Sequence, residues 1–172
     1  MYNIAFIYEE KREYAPREGY PFIKRNNIAA IITCQNEYLL LQFNNVNYSK
    51  SLVTGGIEQG EDRITAVRRE VIEETGYKDI ESIEPVDCVN ISRFFVEHKG
   101  ENREAIYYPY LVRLHSKNKG TIDEAELAEH ECVWVPEAEL DSIDIFANHR
   151  QMIQASKKQV QPLTLKDVKT NN

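Results

Sequence analysis

The sequence has little sulfur chemistry to offer. Its three cysteines, Cys34, Cys88 and Cys132, are odd in number and far apart, and no C-x-x-C pair occurs. Neither a disulfide framework nor a zinc ribbon is supported, and buried thiols in a reducing compartment are the expected reading. No stretch approaches the ~18 consecutive apolar residues that span a membrane, and the N-terminus lacks the basic and apolar regions of a signal peptide. A cytoplasmic location with no membrane partner is therefore expected. A basic surplus is missing too: 21 Lys and Arg face 28 Asp and Glu, for a formal net charge of −7. Non-specific binding to nucleic acid needs a basic face and is not expected. A small anionic ligand remains compatible, because a bound metal ion reverses the local sign. None of the four histidines forms an i, i+4 metal pair with another, and there is no internal repeat or low-complexity tract.

What is present fits one globular unit. The 172 residues are 42% hydrophobic and 28% charged, enough for a single core and too few for two ordinary domains. The expected organisation is one domain over residues 1–158, with an N-terminal extension over about 1–25 and a polar tail over 159–172. Met1 to Tyr8 is rich in β-formers. Ile28 to Thr33 and Tyr38 to Phe43 are apolar runs flanking turn residues, which predicts a hairpin buried on both faces. Ser51 to Thr54 leads as a short strand into Gly55-Gly56. Helical spacing of Ile64, Val67 and Val71 predicts a helix from about Asp62 to Thr75, capped by Gly76. Val86 to Val96 and Ala105 to Leu114 read as long strands joined through His98 to Asn102. Cys132 to Val135 reads as a strand, Pro136 to Leu140 as a helix start, and Ile145 to Lys158 as a final helix. The polar stretch Asn44 to Lys50 reads as a loop, and the acidic run Glu124 to Glu129 as a loop or short helical turn. Strands, helix, strands, helix is the order of an α/β (α+β) fold, a mixed sheet between helices.

The chemistry concentrates in Gly55 to Tyr77, GGIEQGEDRITAVRREVIEETGY. On a helix, Glu70, Glu73 and Glu74 are related by i, i+3 and i+4 and share one face. Like charges so placed repel unless a cation joins them, and clustered hard oxygens suit Mg²⁺ or Mn²⁺. Gly55, Gly56 and Gly60 let the backbone turn and approach a ligand closely. Glu61 favours the helix start or adds another oxygen. Arg69 presents a planar fork able to meet a carboxylate or a phosphate. A solvated acidic helix would explain the carboxylates alone, but not the glycines and the Arg-Glu pair.

This segment resembles the Nudix box, G-x5-E-x7-R-E-U-x-E-E-x-G-U with U bulky and apolar. Gly55, Glu61, Arg69, Glu70, Glu73, Glu74 and Gly76 stand at all seven fixed positions, a coincidence on the order of one in a million or less by chance. Tyr77 takes a place where aliphatic residues are commoner, and Thr54 one where Gly or Pro is. The surrounding strand order resembles the family over about residues 26 to 155, which implies a Nudix-type α/β/α sandwich. Tyr20-Pro21-Phe22 and Val53 to Glu58 are also similar to Nudix domains attached to some leucyl-tRNA synthetases.

The resemblance implies a pyrophosphohydrolase that cleaves the diphosphate of a nucleoside diphosphate linked to another moiety, with Mg²⁺ as cofactor and Mn²⁺ as a substitute. Carried over residue by residue, Glu70, Glu73 and Glu74 become metal ligands assisted by Glu61. Arg69 positions a glutamate, and Gly55 and Gly56 face the substrate. Family members often add a glutamate from a loop before the last strand, for which Glu129 and Glu131 are the candidates, with Glu124 and Glu126 behind them. Dimers are common in the family, so a homodimer is compatible. No subfamily mark is present: Asn90-Ile91-Ser92 and Arg93-Phe94-Phe95 occupy the places of the ADP-ribose and dinucleoside-polyphosphate signatures. The alternative of a different class is a catalytically silent Nudix-like module that binds a nucleotide and regulates.

Overall fold

A computed structural model describes residues 4–9, 14–43, 49–120 and 130–160. The expected polar loop over 44–48, the acidic run with Glu124, Glu126 and Glu129, and the tail from 161 lie outside the described residues. Among those described, eight strands form one sheet: β1 (Ile4–Glu9), β2 (Phe22–Cys34), β3 (Glu37–Phe43), β4 (Val53–Gly56), β5 (Ile80–Pro85), β6 (Cys88–Val96), β7 (Glu101–Leu114) and β8 (His130–Pro136). Two helices accompany them, α1 (Arg63–Thr75) and α2 (Ala147–Val160).

The order along the sheet is β1-β6-β7-β2-β3-β8, with β4 also paired to β2 and β5 to β7. β2 and β7 run parallel over twelve positions from Phe22↔Asn102 to Thr33↔Arg113. Both are long enough to pair two strands along one edge: β2 holds β4 near Asn27–Ala30 and β3 near Ile32–Cys34, and β7 holds β6 and then β5. β1 lies parallel on β6, so part of the expected N-terminal extension is a strand of the sheet.

The two faces follow from strand alternation. Ile28, Ala30 and Ile32 face Ala66, Val67 and Val71 of α1. Ala29 and Ile31 face Met152, Ile153 and Ala155 of α2. Because both faces of β2 are covered, its sequence reads as a continuous apolar run, and the mixed sheet sits between two helices as expected.

Several elements differ from the sequence reading. β5 was not expected; its two isoleucines, Ile80 and Ile83, stand three apart rather than at the strand period of two, and with a bulge between Ile80 and Ser82 both pack on the α1-side core. Leu140 is buried, but the segment before it is a 3₁₀ turn, Glu137–Glu139, because its bonds close over three residues rather than four. β7 begins at Glu101, four residues before the apolar run, since pairing with β6 continues into polar sequence. Ile64 is 49% exposed; Ala66 and Thr75 complete the buried face of α1 with Val67 and Val71.

Candidate active site

The site is assembled where β4 hands the chain to α1. Asp62 is the N-cap of α1: one carboxylate oxygen accepts from the Ile64 and Thr65 amides at 3.0 and 3.1 Å, and the other from the Thr65 hydroxyl at 2.5 Å. The far end closes on Gly76 at φ 74°, a left-handed conformation suited to glycine, with its amide donating to Ile72 O at 2.9 Å. These caps set the frame on which residues 69 to 74 project.

Arg69 is the hub. Its Nε and Nη2 donate to the two oxygens of Glu61, both at 2.9 Å, a bidentate fork. Nη2 also donates to Gly56 O at 2.9 Å, and Nη1 to Glu70 at 2.6 Å and Glu73 at 3.2 Å. One guanidinium thus ties the end of β4, the loop before α1 and two turns of α1 together. Glu61 in turn accepts from the Glu58 amide at 3.0 Å, which fixes the loop.

Gly55 has no alternative here. A Cβ added to it would lie 1.8 Å from the Glu70 carboxyl carbon and 1.9 Å from an oxygen. The Glu70 carboxylate occupies the space a side chain would need. Its pKa is raised, first by burial, against the opposing bond from Arg69. Arg69 holds the Glu61 carboxyl below its ordinary range, and the hydrogen bond to Glu61, helped by Glu70, raises the pKa of Arg69 itself against the opposing effect of burial. Glu73 is more exposed, and Glu74, half-buried, is one residue further along.

The structure therefore brings Gly55, Gly56, Glu61, Arg69, Glu70 and Glu73 into one hydrogen-bonded assembly, with Glu74 on the adjoining turn. It does not bring Glu131 there. Glu131 is exposed on β8, and the residues on either side of it, His130 and Cys132, are the ones that reach α1: His130 Nε2 meets Glu74 O at 2.8 Å, and Cys132 Sγ lies 4.0 Å from it. Strand alternation turns Glu131 to the other side. Glu129 lies outside the described residues.

Sequence reasoning missed His130. A loop or surface position is its usual place, yet it is 4% exposed and bonded to the last turn of α1. Its alternation with Cys132 and Trp134 in an apolar strand was the available signal. Tyr77 is explained as well: it is buried, stacks edge-on against Trp134 at 5.6 Å, and its hydroxyl accepts from Trp134 Nε1 at 2.8 Å.

Among the described residues, no three His, Cys, Asp or Glu side chains are already gathered at metal-binding spacing. Arg69 supplies the positive charge the carboxylates face. The donor set fits a divalent cation nonetheless. It is entirely carboxylate and carbonyl oxygen, and the Glu70 carboxylate is partly desolvated, so charge compensation is worth more there than in water.

A family model of the NUDIX domain matches residues 24–156, and the chain belongs to that family of pyrophosphohydrolases. Solved structures share the fold at low identity. A NUDIX hydrolase from Nitrosomonas europaea is 19% identical with a TM-score of 0.54, over 87% of this chain and 98% of that one. The NUDIX domain of Shewanella oneidensis NrtR, complexed with ADP ribose, is 18% identical with a TM-score of 0.61, over 81% and 90%. A C. elegans Ap4A hydrolase is 19% identical with a TM-score of 0.57, over 79% and 97%. No curated protein matches the sequence.

Proposed function

We propose that this protein hydrolyses the diphosphate bond of a nucleoside diphosphate linked to another moiety, and that it requires Mg²⁺, with Mn²⁺ as a substitute. The observation that carries the reading is the Arg69 assembly, which fastens Glu61, Glu70 and Glu73 to the Gly56 carbonyl beside the notch at Gly55. A binding face alone has no need of a guanidinium that orients three carboxylates.

In this reading Glu70, Glu73 and Glu74 hold the cation with help from Glu61, and Arg69 keeps Glu70 oriented. When bound, a divalent ion supplies neutralisation of the diphosphate charge and a Lewis acid at phosphorus. The chain's own part is to fix those oxygens, to leave Gly55 and Gly56 open to the phosphates, and to exclude water beneath Glu70. The additional loop glutamate is assigned to Glu129, adjoining the anchored His130, rather than to Glu131 across the strand. The three free cysteines suit a reducing cytoplasm.

The test is a panel of ADP-ribose, NADH, dinucleoside polyphosphates, sugar nucleotides and (d)NTPs, assayed by phosphate or nucleotide release with and without Mg²⁺ or Mn²⁺. Turnover requires metal and falls by at least about a hundredfold in Glu74→Gln, since losing even a supporting group at a metal site commonly costs tenfold to a hundredfold. Saturable binding without product, unchanged by Glu74→Gln, establishes the silent regulatory module instead.

A further inference from the structure

Arg69 fastens Glu61, Glu70 and Glu73 through their side chains. The fourth carboxylate of the set, Glu74, is fastened through its backbone. His130 Nε2 meets Glu74 O at 2.8 Å across a sequence separation of 56 residues. A carbonyl oxygen can only accept, so the ring donates from Nε2.

The bond falls where α1 is weakest. Glu74 belongs to the last turn, whose four carbonyls have no partner inside the helix. Ile72 O is met by the Gly76 amide, and Glu74 O by His130. The negative end of the helix dipole lies in this turn, which carries Glu73 and Glu74 and no basic residue. Two acids at that end favour fraying, and a donor brought in from another element opposes it.

His130 is itself held fast. It is buried, it stands on β8 opposite Phe43 of β3, and the Phe43 ring packs edge-on against the imidazole with centroids 5.5 Å apart. Further along the same face of β8 come Cys132, its Sγ 4.0 Å from the same carbonyl, and Trp134, whose Nε1 donates to Tyr77 OH just past the helix. β8 is joined through β3 and β2 to β4. One sheet therefore grips the acidic face of α1 at two places, at Gly56 O on β4 through Arg69 and at Glu74 O through His130 on β8.

Holding the Glu74 carbonyl fixes the peptide plane that follows its Cα, and with it the direction in which Cβ leaves the helix. A metal ligand has to stand within about 0.5 Å of its productive place, and a fraying turn would not keep it there. We infer that His130 is a positioning residue for the metal site, acting through the backbone of Glu74. The inference rests on the reading of Glu74 as a cation ligand given above. In this role His130 acts on the ligand and touches neither the cation nor the substrate.

The probe is Mn²⁺ alone, titrated calorimetrically into the full-length chain without substrate. His130→Leu keeps similar bulk and removes the donor. Mn²⁺ affinity falls by about tenfold, as is common when a group that orients a metal ligand is lost. His130→Gln, whose amide nitrogen stands as many bonds from Cβ as Nε2 does, brings the affinity back near the wild-type value. His130→Asn, whose amide stops one bond short, behaves like the leucine variant and decides the matter should His130→Leu fail to fold by circular dichroism. Trp134→Phe removes the neighbouring bond to Tyr77; it lowers the thermal midpoint and leaves Mn²⁺ affinity unchanged. In a Glu74→Gln background His130→Leu costs no further affinity, because both changes act on one ligand. Wild-type affinity in the leucine and asparagine variants, no recovery in His130→Gln, an equal loss in Trp134→Phe, or a full further loss in the Glu74→Gln background overturns the positioning role. A wild type that binds no Mn²⁺ overturns the metal reading and the positioning role with it. Mn²⁺ binding that depends on His130, with no hydrolysis of any compound in the panel, keeps the positioning role and removes the hydrolase. Metal-dependent hydrolysis with Mn²⁺ affinity indifferent to His130 does the reverse.

Discussion

At Gly55 the difference between a hydrogen and a methyl group decides where a carboxylate can lie. Glu70 fills the space a Cβ would take, within 1.8 Å of it. Gly55→Ala must therefore push Glu70 off Arg69 or shift β4. Because the backbone is also paired to Ile28, the side chain yields first. The expected outcome is a fall of about tenfold to a hundredfold in kcat/KM, the usual cost of misplacing a metal-site group, with little change in thermal midpoint; steady-state kinetics and a melting curve check it. The sequence made this residue conspicuous through its spacing to Glu61 and Glu70. It did not show why glycine is needed, since the partner is a side chain fifteen residues away. Glu131 illustrates the opposite limit: proximity in sequence to the last strand suggested a role, and a period of two turned it away from α1.

Elements are held by contacts of unequal visibility. The caps of α1, Asp62 and Gly76, are local and readable from sequence. The docking of α2 is not. His149 on α2 is buried, and its Nδ1 accepts from the Leu52 amide at 3.0 Å, a bond spanning 97 residues. Burial lowers its pKa from 6.5 to about 4. The neutral ring is the folded form, so the unfolded chain binds the extra proton between those values. Stability from this group is fully present above pH 6.5 and is lost as pH falls toward 4, on the order of 3 kcal/mol in all. His149→Asn, whose Oδ1 can accept from Leu52 in place of Nδ1, is expected to start less stable, through lost packing, and to show a shallower decline between pH 6.5 and 5. Urea unfolding at several pH values measures the slope, and equal slopes in the two proteins would sink the assignment.

For the whole molecule, both cores share β2. The α1-side cluster and the α2-side cluster are the two faces of the same strands, so loosening one exposes the back of the other. Unfolding is expected to be a single transition. The sole tryptophan, Trp134, reports the α1 side through its contact with Tyr77, and far-ultraviolet circular dichroism reports the entire sheet. The N-cap variant Asp62→Ala should lower stability by about 1 kcal/mol and move both midpoints together. Separate midpoints for fluorescence and circular dichroism would show two independently folding layers.

Local chemistry was determined by the sequence alone. The spacing of Gly55, Glu61, Arg69, Glu70, Glu73 and Glu74, the caps of α1 and the doubly buried run of β2 all depend on residues within a few turns or one strand of each other, where periodicity and chain geometry leave little freedom. Tertiary structure alone decided which distant groups meet. It placed His130 under the last turn of α1, His149 against Leu52, and β5 beside β7. Such meetings are set by register across a sheet and by which face each strand turns inward, and neither is written in any one segment of the chain.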